Sequence, residues 1–274
     1  MSSRQLVRSF MRGAPCPRPP LLPLAFYHAS RLDGGPAEVL TRDPTRLTRA
    51  LVDQQRLLGV DGVAVRIDAA FLAEAAGIPV SWSPAGPAAQ WDAAGGRPWP
   101  PDTGQREPVA GLVEVIRRLG IQMRKQVPVL AVLPGPAGLC RRMSPHRQDA
   151  LGETVSLVRG LAEEACRAGA EVVLLEEAED ADGERIAAAA EPICNTVRYY
   201  NAFSVLCAPA PPAGSAADAL LLPPPTGPDQ VPREGRAGIF VPPACFESSG
   251  GLAEFVSALG SAPRPVFLSA GDGP

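Results

Sequence analysis

The chain has 274 residues and a net charge of −3, with 46% hydrophobic and 20% charged residues. Its basic residues are scattered rather than gathered into the positive field of a nucleic-acid binder. No apolar run approaches the ~20 residues of a membrane helix, and the opening MSSRQLVRSFMRG lacks the apolar centre of a signal peptide, so a cytoplasmic protein with neither nucleic-acid nor membrane partners is expected.

In chain order, an amphipathic helix is predicted over residues 4–11, followed by the rigid Pro17-Arg18-Pro19-Pro20. Eight apolar runs then recur: LAFY (24–27), VAVRI (63–67), VLAVLPG (129–135), VVLLE (172–176), SVLCA (204–208), ALLLP (219–223), GIFVP (238–242) and VFLSAG (266–271). Helix-period segments, such as 46–58, 154–168 and 184–199, lie between most of them. Continuous apolar strands alternating with amphipathic helices imply a parallel sheet covered on its outside. Eight of them suggest an α/β fold of the (β/α)8 TIM-barrel type, one domain over 1–274.

Asp43 is a predicted N-cap, with Pro44 at the first helical position. A short helix is predicted over 71–76, and the Pro/Gly/Trp-rich stretch 83–105 reads as a lid or a disordered insertion. Proline-rich segments follow at 209–212 and 223–232. The six cysteines contain no CxxC pair and read as reduced thiols. Arginine supplies all but one of the 26 basic residues, Lys125 being the exception, as in a GC-rich, bacterial-type genome. No outer helix follows the eighth run, so its apolar surface is expected to be covered by a homodimer partner or by the opening helix.

Several segments together resemble the uroporphyrinogen decarboxylase superfamily, which also holds corrinoid- and thiol-directed methyltransferases and cobalamin-independent methionine synthases. They are the helix-then-PRPP opening, YHASR (27–31), DPTRLTRALVDQQRLLGVDGVAVRIDAAFLAEAAG (43–77), PVLAVLPGPAGL (128–139), AGAEVVLLEEA (168–178) and PVFLSAGDG (265–273). The resemblance implies a barrel whose site lies at the C-terminal strand ends. It places Asp68 at the family's aspartate, which binds pyrrole N–H groups, and Arg31 at a carboxylate-holding arginine. Tyr27 stands where the first family arginine falls, Arg142 at the tyrosine after the Gly-Pro turn, and Asp272 at the closing histidine.

Each candidate also has an ordinary role. Asp68 could cap the following helix, and Arg31 and Arg142 could be solvated charges. Of Glu176 and Glu177, strand alternation lets at most one face the pocket. Cys207 could be a small core residue, and His28 has no evident carboxylate orienter. His146, after Ser144-Pro145, reads as surface.

The expected function is decarboxylation of an anionic, carboxylate-bearing small molecule. Asp68 and Arg31 are the catalytic candidates, and Tyr27, His28, Arg142, Glu176 and Asp272 the substrate-binding ones, with no cofactor. The methyltransferase branch implies zinc held by a His-x-Cys pair and a further Cys. This chain reads Cys207-Ala208-Pro209 and Asp272 at those places, leaving Cys207, Cys245 and Asp272, with Glu176, as the only zinc set. A third alternative is a non-catalytic binding barrel.

Overall fold

A computed structural model describes residues 1–18, 20–24, 26–83, 86–123, 126–145, 147, 150–177, 183–208, 215–222, 237–241 and 266–268; for residue 23 and those beyond 219 it describes the backbone. Cys245, Asp272, His146 and the proline-rich segments 209–212 and 223–232 therefore lie outside the described residues. In chain order the elements are α1 (Ser3–Met11), β1 (Leu21–Pro23), α2 (Ala29–Asp33), α3 (Ala37–Thr41), α4 (Pro44–Leu58), β2 (Val63–Arg66) and α5 (Ala69–Ala75). A hairpin of β3 (Val80–Ser83) and β4 (Gly86–Ala89) leads to α6 (Val109–Gln122), β5 (Val129–Pro134), α7 (Pro136–Met143) and α8 (Ala150–Ala168). The chain continues through β6 (Val172–Glu176), α9 (Gly183–Tyr199), β7 (Phe203–Cys207), β8 (Ala219–Leu222), β9 (Ala237–Val241) and β10 (Val266–Leu268).

Eight strands form one parallel sheet in the order β1-β10-β9-β8-β7-β6-β5-β2. The fold is thus α/β with a parallel sheet. β1 and β2 end the strand order and touch: the Asp61 N–H donates to the Leu21 carbonyl at 2.8 Å. A Cβ on Gly62 would stand 2.8 Å from a Leu22 methyl and 2.7 Å from a Leu130 methyl, so a side chain there would force both leucines to shift. Asp61, 1% exposed, ties the region together by accepting from Arg18, from the Ser3 hydroxyl and from the Leu21 N–H.

The first strand is the one displaced from expectation, lying at 21–23 rather than 24–27. From Leu24 onward the backbone bonds locally, Phe26 N–H to the Leu24 carbonyl and Ala29 N–H to that of Phe26, and those turns take the groups a ladder would need.

Alternation along the strands explains the two cores. Val63, Val65, Ala131, Leu133, Val173 and Leu175 join helix residues such as Leu51, Phe71, Ile116, Val158 and Ile193. The intervening residues Ala64, Leu130, Val132, Val172, Leu174 and Val205 form a second cluster with Val7 and Met11 of α1. Both faces of the sheet are buried, which is why its strands read as continuous apolar runs.

The opening helix therefore lies elsewhere than over a gap on the outer side of the first and eighth strands. Its apolar side meets the inner face of the sheet, the one turned away from α4, α6, α8 and α9 and carrying Ala64, Leu130 and Leu174, and its polar side is tied to residues that precede strands. Arg4 and Arg8 pair with Glu171, and the Arg4 N–H donates to the Gln126 carbonyl. The inner face near the strand starts is as apolar as the outer one, so it too needs a cover. A capping box of Ser2 and Gln5 starts this helix.

Within the stretch 83–105, the described residues 86–105 carry packed structure. Trp82, just before it, contacts Tyr27 edge-on with ring centres 6.4 Å apart and Phe71 at 5.9 Å. The Trp99 Nε1–H donates to the Thr154 hydroxyl at 3.2 Å, and Thr103 is fully buried.

Candidate functional site

At the C-terminal end of β2 the inner-face column runs from Ala64 to Arg66 and reaches Asp68 at the start of α5. Asp68 does two things at once. Its Oδ1 accepts from the Ala70 N–H at 2.9 Å, capping α5, and its Oδ2 accepts from the Tyr27 hydroxyl at 3.4 Å. Across β5, Glu176 ends β6 on the same inner face as Leu174, in register with Cys207 of β7.

Arg66 and Glu176 form a two-point pair, Nη1–Oε2 at 2.5 Å and Nη2–Oε1 at 2.8 Å, with side chains 14% and 24% exposed. Burial alone would push the Arg66 guanidinium down; the charges of Glu176 and then Asp68 outweigh it and hold it above the usual arginine range. Burial, reinforced by Glu176 and opposed by Arg66, pushes the Cys207 thiol up to about 12. It is therefore a neutral thiol near pH 7.

Glu177 lies one residue beyond the strand, so the strand alternation that would have turned it away from the cavity no longer binds it. Its Oε1 accepts from the Ala137 N–H at 3.0 Å and its Oε2 from the Gly138 N–H at 2.8 Å, placing a carboxylate on the first turn of α7. Gly135 makes room for it: a Cβ there would lie 2.2 Å from the Glu177 Cδ.

These ends surround a cavity of about 300 Å3, whose polar lining comprises Arg66, Asp68, Arg142, Glu176, Glu177 and Cys207. Arg142, in the last turn of α7, is exposed and makes no ion pair among the described residues. Tyr27 stands behind Asp68. His28 and Arg31 lie on or beside α2 and do not line the cavity; the His28 Nδ1 is 3.3 Å from the Gln54 Nε2, and Arg31 is exposed in the last turn. Burial, then the charge of Arg31, holds the His28 imidazole below its usual range.

The structure thus brings together Asp68, Arg142, Glu176 and, through its hydroxyl, Tyr27. Sequence reasoning missed Arg66 and the helix-capping role of Glu177. Arg66 was findable: it is the one charge in VAVRI and shares strand parity with Asp68. Glu177 gave no such signal, because its partners are backbone groups of another segment. Among the described residues no three His, Cys, Asp or Glu side chains gather as a metal site, and both Glu176 oxygens are engaged by Arg66. Glu176 is thus not free to join Cys207 on a zinc ion, and Cys245 and Asp272, the other members of that set, lie outside the described residues.

The family profile for uroporphyrinogen decarboxylase (URO-D) matches residues 2–182. The chain belongs to the URO-D family. A methyltransferase from Methanosarcina mazei superposes on this URO-D chain with TM-score 0.79 at 14% identity, over 99% of this chain and 93% of that one. Old Yellow Enzyme from Pichia sp. AKU4542 overlaps at TM-score 0.35 and 9% identity, over 58% and 63% of the two chains, too little to equate the folds. A comparison with curated proteins finds no match. No helix among the described residues of the URO-D chain is long and apolar enough to cross a membrane.

Proposed function

We propose that this URO-D chain is a TIM-barrel decarboxylase of a small carboxylate-bearing molecule, held at the C-terminal ends of the strands. The observation that carries the reading is the sharing of one cavity by Asp68 and Arg142, a carboxylate and a guanidinium. Arg142 takes the carboxylate-holding role expected of Arg31, which stands outside the cavity. Asp68, fixed by the Ala70 N–H and approached by the Tyr27 hydroxyl, stabilises an N–H group or positive charge developing in the substrate. As the C–C bond breaks, the electron pair passes into the substrate's own unsaturated framework, carbon dioxide leaves, and a proton is taken up at the carbon. No organic cofactor is needed for that sequence.

Methyl transfer to a thiol is the second reading, favoured by the likeness in fold to the Methanosarcina mazei methyltransferase. Against it stands the engagement of Glu176 by Arg66. Release of 13C-carbon dioxide from a panel of carboxyl-labelled acids, lost in Asp68→Asn and Arg142→Gln, tests the decarboxylase. Stoichiometric zinc in the purified protein, removed by Cys207→Ala, with methylation of a thiol in place of carbon dioxide release, would replace it with the methyltransferase.

A further inference from the structure

The cavity is lined by two guanidinium groups, Arg66 and Arg142, and three carboxylates, Asp68, Glu176 and Glu177. Two of the carboxylates are already engaged. Glu177 lies on the first-turn amides of α7, and Glu176 takes two N–H groups of the Arg66 fork. What remains to meet a ligand is one negative group, Asp68, and one positive group, Arg142.

We propose that the Arg66–Glu176 pair makes this a site for a zwitterionic small molecule, one carboxylate facing Arg142 and one cationic nitrogen facing Asp68, and against a dicarboxylate. The proposal rests on the carboxylate reading above and narrows it. Glu176 occupies the Arg66 fork, and Asp68 adds a second negative charge beside it. A second ligand carboxylate would have to displace Glu176 or lie against two like charges in a partly desolvated space, where repulsion is weakly screened. An ammonium group meets the opposite situation: Asp68 keeps acceptor capacity beyond the Ala70 N–H and the Tyr27 hydroxyl. Glu176 is then a specificity-determining residue that acts by occupying Arg66.

The test titrates the full chain with ω-aminocarboxylates (β-alanine, 4-aminobutyrate and longer members) and with dicarboxylates of matched length (malonate, succinate and longer), by calorimetry. The wild-type protein should bind the best aminocarboxylate on the order of tenfold more tightly than the matched dicarboxylate. Glu176→Gln, which keeps an acceptor for Arg66 but removes the charge, should narrow or reverse that ratio. Arg66→Gln should widen it, so the two halves of the pair move it in opposite directions. Wild-type protein that binds the dicarboxylate as tightly, or variants that leave the ratio unchanged, would overturn the inference while Arg142→Gln still weakens both ligand classes. Binding of neither class, or indifference to Arg142→Gln, would overturn the carboxylate reading and this inference together.

Discussion

Arg66 and Glu176 belong to strands that are not neighbours: β5 lies between β2 and β6, and the pair bridges it with contacts of 2.5 and 2.8 Å. Bridging is open to it because both side chains leave the same inner face: Arg66 is level with Val132 and so with Leu174, and Glu176, level with Pro134, stands two residues further along, a step that the long arginine side chain spans. A half-buried pair of this kind stabilises little in total, since desolvation offsets most of the attraction, but a single truncation leaves an uncompensated charge. Arg66→Met should therefore lower unfolding free energy by about 3 kcal/mol, and adding Glu176→Leu should restore much of it. Urea denaturation of both variants checks this, and a double variant worse than the single would contradict it.

Asp68 both caps a helix and lines the cavity, and two substitutions separate the roles. Asparagine is as good an N-cap as aspartate, so Asp68→Asn should leave the melting temperature nearly unchanged while abolishing turnover or ligand binding. Asp68→Ala should in addition cost about 1 kcal/mol of stability. Full activity in a normally folded Asp68→Asn protein would remove this residue from the site.

Gly135 has an ordinary backbone, φ −67°, so its requirement for glycine is steric. Gly135→Ala would drive a methyl into the Glu177 carboxyl and lift it from the Ala137 and Gly138 amides. A loss of about 1–3 kcal/mol is expected. The companion variant Glu177→Gln should cost less, since it leaves the space intact.

His28 titrates below its usual value because burial and Arg31 disfavour the imidazolium. The unfolded chain therefore binds the proton more readily, and this contribution to stability is present above about pH 6.5 and is lost as pH falls toward the folded value. Melting curves between pH 7.5 and 5 should show a smaller acid-side drop in His28→Gln than in the wild type. Parallel curves would mean that the ring is not protected from protonation.

Met11 is 1% exposed among the inner-face residues of the sheet. Met11→Ala should cost about 2–5 kcal/mol, and removal of residues 1–13 should yield an aggregating protein, because Leu22, Ala64, Leu130 and Val172 lose their cover. A soluble, folded truncated chain would contradict this role for α1.

Local chemistry made much of this protein legible without coordinates. Period-two burial on both faces wrote the strands as unbroken apolar runs, Asp43 and Asp68 announced helix starts, and the family resemblance singled out Asp68, the cap of α5, and Arg142, in the last turn of α7, which do share a cavity. What sequence spacing could not convey is which polar groups cancel one another. Arg66 and Glu176 are 110 residues apart, and Glu177 meets backbone amides 39 and 40 residues away. Strand order and register decide those meetings, and with them which charges are left for a ligand. The inner-face seat of α1 and the exclusion of Arg31 from the cavity have the same origin. An amphipathic helix and an exposed arginine each suit several surfaces equally well, and only the assembled sheet selects among them.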